Sequence, residues 1–369
     1  MGKLQRAHFV APKVIKITYH FLQKQNAGTF DSNQGADTMN RLAVLTSGGD
    51  APGMNAAVRS VVRTALYYGK EIYGIYRGYS GLIEDDMVPM NSSSVSGIIL
   101  RGGTILKTAR CKEFFEESYQ KKGAAILRKR GIDGLIVIGG DGSIQGAEKL
   151  TNLGIPTVTM PGTIDNDMHG TDETIGHDTA VNAVVTAVSR IRDTASAHNR
   201  AAIVEVMGRF AGNIALDAGL ACGAEYILVP EVPFSREKLA RSLKLQMDAG
   251  RTNSIIICAE GADDGRALGD WLKERTNIDI CTTILGFIQR GGQPTARDGQ
   301  LASILGAASV KALLDGETGA LIGTKKGEVV ILPYAEAKKV KEPFHEKLYN
   351  LAVMLGSAQN DGDIRETGL

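Results

Sequence analysis

Between residues 41 and 285 the chain repeats one pattern: a short apolar run, a glycine-bearing turn, then an amphipathic stretch. Short, largely apolar runs at 42–45, 132–138, 157–160, 202–206, 226–229, 254–258 and 282–285 predict buried strands, since a strand covered on both faces needs no polar alternation. Apolar spacing near 3.6 predicts helices over 56–68, 144–153, 179–197 and 236–249. Strands alternating with helices of this length define an α/β class with mainly parallel sheets and crossover helices. No fixed period recurs, which excludes a solenoid.

Residues 1–38 break the pattern. They carry Lys3, Arg6, Lys13, Lys16 and Lys24 against Asp31 and Asp37, and end in a polar tail before Met39. Two readings fit: a targeting extension, or a segment translated upstream of a start at Met39. The second is favoured, and the segment is expected to be disordered, with no role in the fold.

Composition narrows the rest. A chain of 369 residues, 43% hydrophobic and 22% charged, has the makeup of a globular protein with room for two cores. A net charge of +1 supplies no broad field for nucleic acid or an anionic membrane, so any phosphate must be bound by local sites. Cys111, Cys222, Cys258 and Cys281 show no C-x-x-C spacing, and no secretory segment or long apolar span is evident, which points to a reducing, cytoplasmic setting.

The turns carry the candidate chemistry. Pro161-Gly162-Thr163-Ile164-Asp165-Asn166-Asp167 follows an apolar run and lifts Thr163, Asp165 and Asp167 to the carboxyl edge of a sheet, where open α/β sheets bind ligands. Taken alone, it equally describes an Asx-rich turn with aspartates capping backbone amides. Gly139-Gly140-Asp141-Gly142-Ser143 opens into a helix and offers unblocked N–H groups to a polyphosphate, with Asp141 as a carboxylate for Mg²⁺. Its plain alternative is a tight turn with an Asp cap. A Walker cradle is excluded, because no G-x-x-x-x-G-K-[ST] occurs. Thr46-Ser47-Gly48-Gly49-Asp50 is a second glycine turn, with Gly49 permitting close backbone approach. Arg110 with Lys107, then Arg209 and Arg290 beside glycines after predicted strands, are cations suited to phosphate, and Glu260 suits sugar hydroxyls. Singly, each is equally a solvated surface charge.

In sequence order, GGDAPGMN, GGDGS, PGTIDND, MGRFAG, PEVPFSRE and GFIQRGG closely resemble the phosphofructokinase family of glycolysis in its short bacterial ATP-dependent form, from about residue 41 to about 355. The resemblance implies two similar doubly wound domains with the active site in the cleft between them. The ATP-binding domain would comprise 39–176 plus 289–339, and the sugar-phosphate domain 177–288 plus 340–369. It implies ATP-dependent phosphorylation of fructose 6-phosphate at the 1-hydroxyl, Mg²⁺ as cofactor, a homotetramer with sites shared between subunits, and allosteric control.

Carried over residue by residue, the resemblance assigns Gly49, Arg110, Cys111, Gly142, Ser143 and Gly146 to ATP and Asp141 to the metal. Asp165 becomes the base, with Thr163 and Asp167 beside it and Arg110 and Arg209 assisting transfer. Met207, Gly208, Arg209, Glu260 and Arg290 would hold the sugar phosphate, reached by Arg200 from a neighbouring subunit. Arg59, Arg63, Arg192, Glu225 and Arg251 match effector positions, although Ser92 and Gly97 stand where the family often has arginine and aspartate. Glycine at 142 and 162, where pyrophosphate-dependent members tend to carry Asp and Lys, favours ATP. Cys281 and Phe287 depart from an arginine and a histidine expected to face the sugar 6-phosphate, and Gly299 replaces a common arginine. Two alternatives follow: a kinase of the same mechanism for another phosphosugar, or a non-catalytic nucleotide-sensing paralogue, which intact Asp141, Thr163, Asp165 and Asp167 argue against.

Overall fold

The computed structural model describes residues 39–340, 344–356 and 364–365; the expectation for 1–38 lies outside them. In chain order the elements begin with β1 (Arg41–Thr46), α1 (Met54–Tyr67), β2 (Glu71–Ile75), α2 (Gly78–Ile83) and β3 (Met87–Met90). Next come α3 (Glu117–Lys129), β4 (Gly134–Gly139), α4 (Asp141–Asn152), β5 (Thr157–Pro161) and α5 (His177–Ala197). They continue with β6 (Ala201–Val206), α6 (Asn213–Ala221), β7 (Tyr226–Leu228), α7 (Arg236–Asp248), β8 (Ser254–Ala259) and α8 (Gly265–Thr276). The last are β9 (Ile280–Ile284), α9 (Ala296–Leu314), β10 (Ala320–Lys325), β11 (Glu328–Pro333), α10 (Tyr334–Ala337) and α11 (Glu346–Leu355).

These strands form two sheets of unequal size. The larger runs β11-β10-β5-β4-β1-β2-β3, with antiparallel β11 and β3 at its edges and parallel pairing between. The smaller, β7-β8-β6-β9, is parallel throughout. Alternate side chains of β1 serve opposite cores. Leu42 and Val44 join residues of α1 and α9, while Ala43 and Leu45 pack with Tyr79, Leu82, Leu127 and Leu150 of α2, α3 and α4. This two-sided covering is why β1 needs a continuous apolar run. Among the described residues no helix is long and apolar enough to cross a membrane.

Topology positions the turns. In the larger sheet β1 has β2 on one side and β4 on the other, so connections diverge at the carboxyl ends of β1 and β4. Those ends carry Ser47-Gly48-Gly49 and Gly140 to Ser143. The smaller sheet has the same reversal at β6, flanked by β8 and β9, and its strand ends carry Met207 to Arg209, Glu260 and Leu285 to Arg290. Helix α5 joins the two. Its start is tied to the larger sheet by Ile175 N–H donating to Pro161 O at 3.0 Å, and it runs directly into β6. Buried Asp298 of α9 accepts from Gly176 N, Thr179 N and Thr179 Oγ1 at 2.8, 2.8 and 2.5 Å, capping the first turn of α5.

Candidate active site

The two glycine turns of the larger sheet lie against each other. A Cβ added to Gly139 would stand 2.4 Å from Ser143 Oγ and 2.5 Å from Ser47 O, so only glycine allows this approach. Ser47 N–H donates to Ile138 O, and Thr108 Oγ1 donates to Gly48 O at 2.7 Å, drawing the segment that carries Arg110 onto the first turn. Gly142 has open space where a side chain would go, at the amino end of α4. Gly146 differs: its side-chain direction is filled by the Tyr79 ring at 2.6 Å, and Tyr79 stacks on Phe114 at 4.3 Å, which gives that glycine a packing reason. Ser143 is buried. Cys111 is half-buried, its Sγ 3.6 Å from Glu113 Oε2.

Asp165, in the loop after β5, is 4% exposed. Thr163 Oγ1 accepts from Asp165 N–H at 3.2 Å and approaches Asp165 Oδ2 at 3.4 Å, while Asp165 Oδ1 is buried with no hydrogen-bond partner. A buried carboxylate oxygen without a donor is costly, and a hydroxyl group brought against it would supply one. Burial, then the neighbouring Asp167, raise the Asp165 pKa above the usual carboxylate value; Arg290 and Arg209 oppose this and Glu260 adds to it. Burial likewise raises Asp167, against its own backbone amide, Arg209 and His169. These mutual influences bring Asp165, Asp167, Arg209, Glu260 and Arg290 into one electrostatic neighbourhood.

The smaller sheet supplies the opposite wall. Gly208 N–H and Arg209 N–H donate to Glu260 Oε1 at 3.2 and 2.8 Å, and Arg209 adopts a left-handed φ of 54° that turns its side chain outward over Phe210. Gly208, at φ 146°, leaves no room for a Cβ, which would meet Ala211 O at 2.3 Å. Met207 N–H donates to Gln289 Oε1 at 3.1 Å. Buried Gln289 also donates to Gly286 O, so it fastens the loop after β6 to the turn after β9. Arg290 Nη1 donates to Asp50 O at 3.1 Å, joining that turn to the first glycine loop.

Asp141 is open to solvent, yet the walls around its carboxylate partly desolvate it. That effect and the charge of Asp167 push its pKa up, with His169 and Arg209 opposing. Its donor set suits Mg²⁺, which takes one or two carboxylates and completes its shell with water and phosphate oxygens. Among the described residues no three His, Cys, Asp or Glu side chains converge on an all-protein metal site.

Other expected residues lie elsewhere. Arg200 follows α5, whose 21 residues span roughly 30 Å, and pairs with Asp279 at 3.3 Å; within one chain it does not reach the Asp165 loop. Cys281 shares that edge, with Sγ 3.6 Å from Ala201 O at the start of β6. Phe287 lies beyond the carboxyl end of β9 and is 82% exposed. Within one chain, strand geometry therefore sets Cys281 and Phe287 toward opposite ends of β9, on the order of 10 Å or more apart. Arg192 and Arg251 both engage Glu225, at 3.2 and 2.9 Å, whereas Arg59 and Arg63 lie one turn apart on α1.

Sequence reasoning passed over Gln289, Asn213, His177 and Asp298, whose hydrogen bonds hold the loops. Asn213 Nδ2 donates to Asp165 O at 3.2 Å and Asn166 O at 2.9 Å, yet nothing in its local pattern marks it.

The sequence matches the phosphofructokinase family over residues 41–313. It is 53% identical to the ATP-dependent 6-phosphofructokinase of Paenibacillus macquariensis, over 86% of this chain and 99% of that protein. Identity to the ATP-dependent 6-phosphofructokinase of Clostridioides difficile is 51%, with the same coverage. Among solved structures, phosphofructokinase from Saccharomyces cerevisiae superposes with a TM-score of 0.76 at 37% identity, over 86% of this chain and 48% of that one. The chain thus spans about half the length of the yeast protein. A pyrophosphate-dependent phosphofructokinase from Marinobacter aquaeolei, 22% identical and with a TM-score of 0.76 over 83% and 86% of the two chains, shares the fold. The chain belongs to the phosphofructokinase family.

Proposed function

We propose that this chain transfers the γ-phosphoryl group of ATP to the 1-hydroxyl of fructose 6-phosphate, giving fructose 1,6-bisphosphate and ADP. The observation that carries the reading is the buried, unpartnered Oδ1 of Asp165, an acceptor placed to receive a hydroxyl proton among Asp167, Arg209, Glu260 and Arg290. Relatives named ATP-dependent 6-phosphofructokinase at about half identity support it.

In this reading the substrate hydroxyl gives its proton to Asp165 Oδ1 as its oxygen attacks the γ-phosphorus, and the bond to ADP breaks. Thr163 and Asn213 hold the Asp165 loop in place. Asp141 would hold Mg²⁺, which supplies charge neutralisation on the phosphate oxygens. Gly49, Arg110, Cys111, Gly142 and Ser143 line the nucleotide, and Gly146 seats Tyr79 beneath it. The open space at Gly142 suits an α-phosphate, and a side chain at Gly162, whose added Cβ would stand 3.0 Å from Ile138 Cγ2, would require its neighbours to shift. Met207, Gly208, Arg209, Glu260 and Arg290 hold the sugar phosphate. Arg200 acts on a neighbouring subunit of a cytoplasmic homotetramer, and Arg192, Glu225 and Arg251, with Arg59 and Arg63, form an effector site. The residues divide into an ATP-binding part, 39–176 plus 289–339, and a sugar-phosphate part, 177–288 plus 340–369.

A second reading, the same chemistry on another phosphosugar, is favoured by one observation: Phe287 presents an apolar ring three residues from Arg290. A coupled assay of several phosphosugars, with ATP and with pyrophosphate, separates the readings. ATP with fructose 6-phosphate is expected to give the highest kcat/KM; a better phosphosugar moves the assignment to the second reading, and comparable rates with pyrophosphate overturn the donor.

A further inference from the structure

Where the Asp165 loop meets α5, one side chain joins it to a second helix. His177, the first residue of α5, has Nδ1 2.8 Å from Ile164 O and Nε2 2.9 Å from Oδ2 of Asp217 on α6. Ile164 precedes Asp165, so the imidazole grips the backbone from which that carboxylate projects. One turn before Asp217 on the same helix, Asn213 donates to Asp165 O and Asn166 O. Helix α6 thus holds the loop at two points.

Neither partner of the ring carries a proton to give. A carbonyl oxygen only accepts, and so does an ionised carboxylate, so both contacts are satisfied only when both ring nitrogens are protonated. A neutral ring protonated at Nδ1 keeps Ile164 but turns a lone pair toward Asp217. Protonated at Nε2 it keeps Asp217 and loses Ile164. The side chain is 12% exposed, at the wall of a cavity of about 510 Å³. Facing this space are Asp178 from α5, Asp217 from α6, Asp298 and Arg297 from α9, Asp172 and Glu173 from the preceding loop, and His345 at the start of α11. Five carboxylates therefore line this space, of which Asp217 and Asp298 act on the ring; Glu173 engages Arg297 at 2.6 Å and Asp172 engages Lys325 at 3.0 Å. Burial, the largest single influence, pulls the imidazole pKa down. The hydrogen bond and charge of Asp217, the Ile164 carbonyl and Asp298 together outweigh it, and the net direction is up.

We infer that His177 is a proton-operated positioning residue, which as an imidazolium clasps Ile164 to Asp217 and holds Asp165 in line, and whose deprotonation at alkaline pH loosens the catalytic loop. This rests on Asp165 being the base proposed above. A histidine that merely fills a polar gap would leave the pH profile alone.

The test measures kcat at saturating substrates from pH 6 upward for the parent, His177→Phe and Asp217→Asn, with the imidazole titration of His177 followed by NMR in the parent and in Asp217→Asn. The parent is expected to lose kcat with a midpoint above the ordinary histidine pKa of about 6.5 and equal to that of the imidazole. In Asp217→Asn the Asn amide can donate to Nε2 of a neutral ring that still donates to Ile164, so the alkaline fall disappears while kcat stays within about twofold of the parent plateau. His177→Phe clasps nothing; its kcat is expected to fall about tenfold or more at every pH, with KM nearly unchanged, because small misplacement of a catalytic group is expensive. An unchanged alkaline fall in Asp217→Asn, or a His177→Phe variant with the parent's kcat and profile, overturns the inference. So does an imidazole that titrates at or below the ordinary value, whatever the activity. If His177→Phe does not fold, Asp217→Asn and the titration decide. A parent that turns over no phosphosugar defeats the functional reading instead, and the titration separately reports whether the clasp exists.

Discussion

Arg290 and Gly49 face each other across the opening: a Cβ on Gly49 would stand 2.7 Å from Arg290 Nη1. The guanidinium reaches the first glycine loop by donating to Asp50 O at 3.1 Å. Gly49 was expected on the nucleotide side and Arg290 on the sugar-phosphate side, and this contact makes each depend on the other.

Gly49→Ala tests that dependence. The methyl group displaces the flexible end of Arg290 rather than backbone, so folding should be little affected. If Arg290 binds the sugar phosphate, KM for fructose 6-phosphate should rise about tenfold or more, since a charged hydrogen bond is worth about 1.5–3 kcal/mol. KM for ATP should change less. Steady-state kinetics in both substrates check this, and a selective rise in KM for ATP returns Gly49 to a purely nucleotide role.

Phe287 and Cys281 should behave differently, because they lie toward opposite ends of β9. Phe287→His adds a donor beside Arg290 and is expected to lower KM for fructose 6-phosphate about tenfold on its own. Cys281→Arg places its charge beside Arg200, so its benefit should require an assembled oligomer and vanish on dilution to subunits. KM measured at several enzyme concentrations, with the mass in solution, distinguishes them; an equal, concentration-independent gain from both would contradict the separation.

The raised pKa of Asp165 has two consequences of fixed sign. A base must be ionised, so the acid limb of kcat should lie above the ordinary aspartate pKa of about 3.9. Because the folded state binds this proton more tightly than the unfolded chain, stability falls as pH rises from that ordinary value through the raised one, and the ionised site remains costly at neutral pH. Asp165→Asn removes the cost. Its Tm at pH 7 should be higher by roughly 1–4 °C, with the gain disappearing below the ordinary aspartate pKa; a lower Tm at pH 7 contradicts the sign.

Much of this architecture was legible because parallel strands buried on both faces must be apolar throughout. Residues 42–45, 157–160 and 254–258 announce β1, β5 and β8, and the glycine turns after them mark the carboxyl edges. Edge and polar elements were not legible. Strand β2 alternates exposed Glu71 with buried Ile72 and carries Gly74, and β3 contains Pro89. The β10–β11 hairpin went unread although Lys326 and Gly327, both left-handed, form its turn. Helix α9 buries small residues such as Gly306, which fits against Ser60 of α1, so its packing rests on close approach rather than a bulky apolar stripe. At the site, residues whose side chains do chemistry stood out beside glycines. Those that hold backbone, His177, Asn213, Gln289 and Asp298, act through long-range hydrogen bonds that no local pattern records.

In the proposed reaction Asp165 Oδ1 takes the proton of the attacking hydroxyl. The most direct measurement is the kcat of Asp165→Asn with saturating Mg-ATP and fructose 6-phosphate, alongside the Kd for ATP. Asparagine keeps the shape and removes the base, so kcat should fall roughly 10²- to 10⁴-fold with ATP affinity nearly unchanged. A variant that turns over at close to the parent's rate would show that another group, or none, accepts the proton.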